Sequence, residues 1–167
     1  MNLFLLRHGL AVEPGTQGYS TDAARPLTVV GERKLWRIAE AMSAMKLSFD
    51  MIISSPYLRA RQTAEIVAEA FHARRKLDFH DELVPGGDAK ALIAHLNRLS
   101  PLPDNLLLVG HEPSMSGLIS LLVFGESHCS VQMKKAGLAK LSCESLKAGR
   151  CAMLEWLLTP KQMSLMA

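Results

Sequence analysis

A chain of 167 residues with 49% hydrophobic and 21% charged residues has enough apolar material for one core. We expect a single domain over residues 1–167, since domains commonly have about 100–150 residues or somewhat more. The net charge is only +3 and the basic residues form no runs, which argues against a nucleic-acid-binding protein.

The N-terminal segment, the apolar stretches and the cysteines indicate the cellular location of the protein. The apolar N-terminal segment is about one strand long and is interrupted at Arg7, so we expect no signal peptide. The longest apolar stretch is far shorter than the roughly 20 residues of a membrane helix. Cys129, Cys143 and Cys151 form no C-x-x-C pair, which favours reduced thiols. A cytoplasmic protein that binds neither membrane nor nucleic acid is expected.

The first half of the chain predicts two strands and two helices. Asn2–Leu6 is a continuous apolar strand, and a polar loop runs from Gly9 to about Pro26. Thr28 is expected to cap a helix that ends near Met45, because apolar residues recur there with helical spacing. Asp50–Ser54 is a second strand. Ser55 then predicts an N-cap, followed by Pro56 in the first helical position, for a helix to about Phe71.

The second half continues the alternation of strands and helices. Its predicted elements are a strand at Lys76–Phe79, a helix capped by Asp88 to about Leu99, a strand at Asn105–Val109, a helix from near Pro113, and strands at Leu138–Cys143 and Ala152–Leu158. This order predicts an α/β fold, a three-layer α/β/α sandwich with a mostly parallel central sheet.

Three polar segments each follow a predicted strand. They are Arg7-His8-Gly9, the stretch from Ser54 to Arg59, and the stretch from Gly110 to Pro113. Ligands of open α/β sheets bind beyond the carboxyl ends of the strands, so these segments can converge on one pocket. Together they supply two arginines and two histidines, a set suited to a phosphate group.

His8 is the candidate nucleophile. A neutral imidazole can attack phosphorus with one nitrogen while the other donates to a backbone carbonyl, which fixes the tautomer. Arg7, Arg59 and His111 would surround the equatorial oxygens, where charge must be stabilised during phosphoryl transfer. His111, if protonated, adds a further donor. A pH optimum near neutrality is expected, because His8 must be neutral to attack while His111 works best protonated.

Other site types fit the sequence poorly. His111-Glu112 begins like a zinc-binding H-E-x-x-H, but Met115 stands where the second histidine belongs. No G-x-S-x-G, P-loop or G-x-G-x-x-G is present. Four further histidines lie outside any motif and are expected at surface or boundary positions: His72, His80, His95 and His128.

The same segments resemble a known family. Leu6–Gly9 is similar to the RHG signature of the histidine phosphatase (phosphoglycerate mutase-like) superfamily. Residues 54–64 resemble its S-S-P-x-x-R-A-x-Q-T-A segment, and Val109–Pro113 resembles its V-x-H-x-P/G segment. Arg25-Pro26-Leu27-Thr28-x-x-Gly31 is similar to the R-P-L-T-x-x-G stretch of the short bacterial members of this family. With its short length and Leu83-x-Pro85-x-Gly87-Asp88, the chain most resembles the SixA-type phosphohistidine phosphatases among them.

The resemblance implies a phosphoglycerate mutase-like fold and a role for each matched residue. His8 would accept the phosphoryl group, and Arg7, Arg59 and His111 would form the phosphate pocket. Many members carry an acidic residue near the segment 80–83 of this chain, where Glu82 aligns best as general acid. The alternative for Glu82 is an ordinary carboxylate at a loop or strand end, and the short phosphohistidine phosphatases depart from the usual acid motif.

Three functions are therefore considered. The first is removal of phosphoryl groups from phosphohistidine in a protein, such as a phosphotransfer domain or a phosphotransferase-system carrier, through a covalent intermediate on His8. A compact chain should leave a shallow site that a protein surface can enter. The second is a small-molecule phosphomonoesterase, and the third is a non-catalytic phosphoprotein-binding module. Positive charge from arginine and histidine would make a metal or other cofactor unnecessary.

Overall fold

The computed structural model describes residues 1–126 and 130–166. His128 and Cys129 lie outside the described residues, whereas Cys143 and Cys151 are free thiols. The helices and strands, in chain order, are β1 (Asn2–Arg7), α1 (Val29–Ala44), β2 (Met51–Ser54), α2 (Leu58–Ala70), β3 (Leu77–Phe79), α3 (Ala89–Leu96), β4 (Asn105–Gly110), α4 (Ser114–Phe124), β5 (Leu138–Cys143), β6 (Ala152–Leu158) and α5 (Pro160–Met163).

One mixed sheet forms the centre of the described chain, with strand order β3-β2-β4-β1-β5-β6. The first four strands in that order are parallel to their neighbours, and β5 and β6 are antiparallel. Alternate residues of each strand point to opposite faces. Leu6 and Ile52 therefore pack against α1 and α2 on one face, while Leu5 and Ile53 pack against α3 and α4 on the other. The predicted three-layer fold is confirmed.

Most predicted elements agree with the structure, and three differ. The helix expected from Pro56 begins at Leu58, because the Ser55 hydroxyl accepts from the Tyr57 N–H and Tyr57 keeps an extended backbone. The third helix ends at Leu96, where the turn that follows tightens to i→i+3 hydrogen bonds. The short helix α5, capped by Thr159, was not predicted.

The described helices give no candidate for a membrane span, being too short or too polar.

The start of α1 is held tightly against the segment after β1. The Thr28 N–H donates to the Leu10 carbonyl at 3.0 Å, and the Thr28 hydroxyl accepts from the Gly31 N–H at 3.0 Å. A Cβ at Gly31 would lie 2.1 Å from the Leu10 oxygen. The absence of a side chain at this position thus lets α1 approach the loop that carries His8.

We expect Gly31→Ala to lower the free energy of unfolding by about 2 kcal/mol, since backbone overlap outweighs the roughly 1 kcal/mol that alanine gains over glycine in a helix. Urea denaturation measures the change. Glu40→Ala, on the exposed face of the same helix, is the control and should change the free energy by less than about 0.5 kcal/mol. A Gly31→Ala protein as stable as wild type would contradict the close approach.

Candidate active site

The pocket is built where three neighbouring parallel strands end. β4 lies between β1 and β2, with Arg7 paired to Gly110 and Ser54 paired to Val109. The His8 N–H donates to the Gly110 carbonyl at 3.0 Å, and the Ser55 N–H donates to the Val109 carbonyl at 2.9 Å. The residues that follow the three strands are therefore fixed side by side at one sheet edge.

His8 is held in one orientation by both ring nitrogens. Nδ1 lies 2.8 Å from the Gly9 carbonyl oxygen, and the Arg59 Nε–H donates to Nε2 at 3.3 Å. A carbonyl can only accept and a guanidinium can only donate, so the proton is assigned to Nδ1 and the lone pair to Nε2. Nε2 therefore carries the lone pair with which an imidazole can attack.

Burial keeps the His8 ring neutral. The side chain is almost fully enclosed, with 6% of the residue exposed. Desolvation lowers the pKa of His8 to about 3, with the hydrogen bond to Gly9 opposing the shift and the positive charges of Arg59, Arg7 and Lys135 adding to it. At neutral pH the ring thus retains the lone pair that attack requires.

His111 stands beside His8 with ring centroids 5.0 Å apart. Its Nε2 lies 2.9 Å from the Ser55 hydroxyl, and its buried Nδ1 has no hydrogen-bond partner among the described residues. Desolvation lowers the pKa of His111 to about 3, and the electrostatic interactions with the His8 ring and with the Arg59 guanidinium act in the same direction. Burial among cations thus disfavours the protonated form of His111 in the free protein.

A neutral His111 can still donate to a bound anion. The Ser55 hydroxyl accepts from the Tyr57 N–H at 3.2 Å and has its own proton to give. When Ser55 donates to Nε2, the ring proton lies on Nδ1, the nitrogen without a protein partner. A bound phosphate dianion would also raise the pKa of His111 by adding negative charge nearby.

Arg59 lies in the first turn of α2, as predicted, and is 3% exposed. Its terminal nitrogens donate to Asp22, at 2.7 Å to the backbone carbonyl and 2.8 Å to Oδ2. The Asp22 carboxylate also accepts from Arg25. Burial opposes ionisation of Asp22, but hydrogen bonds from Arg25 and Arg59 outweigh it and hold its pKa below the usual value. Asp22 therefore fixes the guanidinium against His8.

Arg7 has one nitrogen aligned by the backbone and another without a partner. A terminal nitrogen donates to the Met133 carbonyl at 2.7 Å, whereas the buried Nε has no hydrogen-bond partner in the described chain. Desolvation lowers the pKa of Arg7, and Glu112 opposes the shift. Like His111 Nδ1, this buried donor lacks the hydrogen bond that buried polar groups ordinarily make, and an anion can supply it.

Glu82 lies in a single 3₁₀ turn, Asp81–Leu83, that follows β3. The His80 N–H donates to the Ser54 carbonyl, which attaches this turn to the same sheet edge. The Glu82 carboxylate lies near the imidazole of His80, whose Nδ1 is 3.8 Å from Oε2. The structure thus groups His8, Arg59 and His111 directly and leaves Glu82 beside His80.

Several site residues were not assigned a role from the sequence. Arg25 and Ser55 lie within the quoted motifs. Nothing in the motifs shows that Arg25 contacts Asp22 or that Ser55 contacts His111. Thr63, which accepts from the Gly9 N–H and donates to the Arg59 carbonyl, is likewise within a motif. Asp22 has no sequence signal, because its partner Arg59 is 37 residues away. No group of three or more potential metal ligands occurs among the described residues.

Comparison with known proteins agrees with this geometry. The model of the histidine phosphatase superfamily (branch 1) matches residues 3–84. An uncharacterised Picosynechococcus protein is 38% identical over 142 residues, which cover 84% of each chain. The phosphohistidine phosphatase SixA of Escherichia coli is 30% identical over 128 residues, covering 76% of this chain and 77% of SixA. The chain belongs to the histidine phosphatase superfamily.

Solved structures extend the likeness over almost the whole chain. The protein histidine phosphatase SixA complexed with tungstate superposes with a TM-score of 0.83 at 26% identity, covering 96% of this chain and 98% of that one. A mycobacterial glucosyl-3-phosphoglycerate phosphatase has a TM-score of 0.71 at 18% identity and shares the fold alone. This superfamily member is accordingly a SixA-like phosphatase, and its class of reaction is phosphoryl hydrolysis.

The protonation states can be checked in the free phosphatase. Because the folded pKa of both rings is far below 6.5, neither should gain a proton as pH falls from 7.5 to 5. Long-range ¹H–¹⁵N NMR should show His8 with its proton on Nδ1 throughout, with N-acetylhistidine in the same sample as the titrating reference. Titration of either ring near pH 6.5 would contradict the burial argument.

Proposed function

We propose that this phosphatase removes phosphoryl groups from phosphohistidine side chains of proteins through a covalent phosphohistidine on His8. The observation that carries the proposal is the pair of contacts on His8, which assign the proton to Nδ1 and the lone pair to a buried Nε2 beside Arg59. A binding module has no need of a desolvated nucleophile with its tautomer fixed. The likeness to SixA supports phosphohistidine as substrate.

In the first step the Nε2 lone pair of His8 attacks phosphorus in line with the bond to the substrate imidazole. The Nε2–P bond forms, the P–N bond of the substrate breaks, and its electron pair returns to the departing imidazole, which takes up a proton from solvent. The Nδ1–H of His8 stays hydrogen-bonded to Gly9, which stabilises the positive charge that the ring gains. The Arg7 and Arg59 guanidinium groups and His111 face the transferring oxygens.

In the second step water attacks the phosphorus of phosphorylated His8. The Nε2–P bond breaks, its electron pair returns to Nε2, and the proton released by water leaves with phosphate or to solvent. An imidazole leaving group accepts a proton from solvent more easily than an alkoxide does. Glu82 beside His80 is therefore proposed as an assisting acid that matters more for ester substrates than for phosphohistidine.

His8→Ala should reduce hydrolysis of a phosphohistidine protein by about a thousandfold or more, since the covalent route is lost. The matched control is His72→Asn, an exposed histidine whose backbone is left-handed and accommodates asparagine. Rapid quench with ³²P-labelled substrate should trap acid-labile, base-stable label in wild type and the control, but not in His8→Ala. Label retained in His8→Ala would place the nucleophile elsewhere.

p-Nitrophenyl phosphate, assayed in parallel, distinguishes the alternatives. We expect wild type to hydrolyse the ester slowly and Glu82→Gln to hydrolyse it more slowly still. The same substitution should change the rate of phosphohistidine hydrolysis little. Faster turnover of the ester than of phosphohistidine would favour a small-molecule phosphomonoesterase. Absence of both activities would indicate a phosphoprotein-binding module.

Hydrolysis is also expected to be independent of metal ions, because Arg7, Arg59 and His111 supply the donors that a metal would otherwise provide. The rate on phosphohistidine should change by less than about twofold after dialysis against EDTA. Loss of activity that a divalent ion restores would overturn this expectation.

A further inference from the structure

A second feature of the carboxyl edge of the sheet is a groove of about 560 Å³ between α1 and the chain around α5. Ile38 and Pro160 contribute apolar surface to it. Four cationic side chains line it, two from α1 and two from the segments before β5 and after β6: Lys34, Arg37, Lys134 and Lys161. Within the described chain no carboxylate forms an ion pair with any of the four.

The groove is connected to the catalytic pocket through the backbone. The segment 133–136 supplies Lys134 to the groove, while its Met133 carbonyl accepts from Arg7. The Ala136 N–H lies 3.0 Å from both the Arg7 and His8 carbonyls. On the other wall, β6 ends at Leu158, which pairs with Leu138, and Leu138 in turn pairs with Leu6. Thr159 and Pro160 therefore leave the sheet at the same edge as His8.

The surface around the groove continues its apolar and basic character. Val30, which is 51% exposed, forms a shallow neighbouring cleft with Arg33, Lys34 and Arg37. Exposed aliphatic groups flanked by arginine are typical of surfaces that contact other proteins, where long basic side chains lie over apolar neighbours. Four clustered cations that form no ion pair within the described chain favour a partner of negative charge.

We propose that this groove is the docking surface for a carboxylate-rich face of the phosphohistidine protein that the enzyme hydrolyses. The inference rests on the proposed function and adds to it the chemistry of the partner. Carboxylates of the substrate protein pair with Lys34, Arg37 and Lys161 while its phosphohistidine enters the pocket beside His8. Specificity for an acidic protein then comes from a surface outside the catalytic pocket.

Three substrates separate docking from catalysis: free phosphohistidine, a phosphohistidine peptide with a flank of twelve Glu and Asp residues, and the same peptide with a Gln and Ser flank. A flank of this length spans up to about 40 Å when extended, which is roughly the diameter of a domain of this size. Peptides with the flank on either side of the phosphohistidine are used, and each kcat/KM is measured at about 30 mM and about 300 mM salt.

The groove variant is the triple substitution Lys34→Glu, Arg37→Glu and Lys161→Glu. Its control is Arg75→Glu, Arg98→Glu and Lys147→Glu, which replaces three exposed cations away from the groove with the same change in net charge. Lys134 is left unchanged because its neighbour Met133 holds Arg7. Turnover of free phosphohistidine reports whether each variant is folded with an intact pocket.

At low salt, wild type should hydrolyse the acidic-flank peptide with kcat/KM about tenfold above the neutral-flank peptide, and the preference should shrink at high salt. The groove variant should lose that preference and keep free phosphohistidine turnover within about twofold, while the control retains both. Equal kcat/KM for the two peptides in wild type, or a preference that survives in the groove variant, would overturn the docking surface and leave the proposed function standing. No hydrolysis of any phosphohistidine substrate by wild type would instead overturn the proposed function.

Discussion

The placement of β4 between β1 and β2 is the constraint on which the catalytic pocket depends. Its parallel pairing aligns Arg7 with Gly110 and Ser54 with Val109. His8, Ser55 and His111 each follow at the end of a strand, so the three side chains meet at one edge. A slip of one residue in either pairing would turn a strand's side chains to the opposite face. The hydrophobic residues that fix the register therefore also fix the distance between the two imidazoles.

Burial then gives the pocket its chemistry. The rings of His8 and His111 are enclosed among fixed cations, so both pKa values fall to about 3 and both rings are neutral in the free protein. The pocket consequently combines a neutral imidazole with positive charge from arginines. Asp22 offsets part of that charge and fixes Arg59 through two of its nitrogens. In the proposed mechanism, an entering phosphoryl group would replace the Arg59 contact on His8 Nε2 with contacts to phosphate oxygens.

Much of the fold could be predicted from periodicity and composition. The predicted bounds of β5 and β6 agree with the structure, and β1 and β4 are each one residue longer than expected. The expected helix start at Pro56 was wrong because the Ser55 side chain is engaged with Tyr57 and His111. Those contacts depend on the position of β4 and cannot be deduced from local helix signals. The short helix α5 was missed although Thr159 and Gln162 form a capping box with Pro160 in the first turn. Four residues are too few to show a helical period, and its anchor is the fully buried Met163.

The sequence by itself determined the layered α/β fold, the superfamily, and the identity of the residues that follow the strands, because hydrophobic spacing and contiguous motifs are local properties of the chain. Only the tertiary structure decided which nitrogen of His8 carries the proton, the neutral state of His111, and the pairing of Asp22 with Arg59. It also decided that Lys34, Arg37, Lys134 and Lys161 share one groove. The protonation state of a histidine depends on how deeply its ring is buried, and the contact between Asp22 and Arg59 joins residues far apart in the chain. Residue spacing along the sequence therefore predicts neither the protonation states nor this contact.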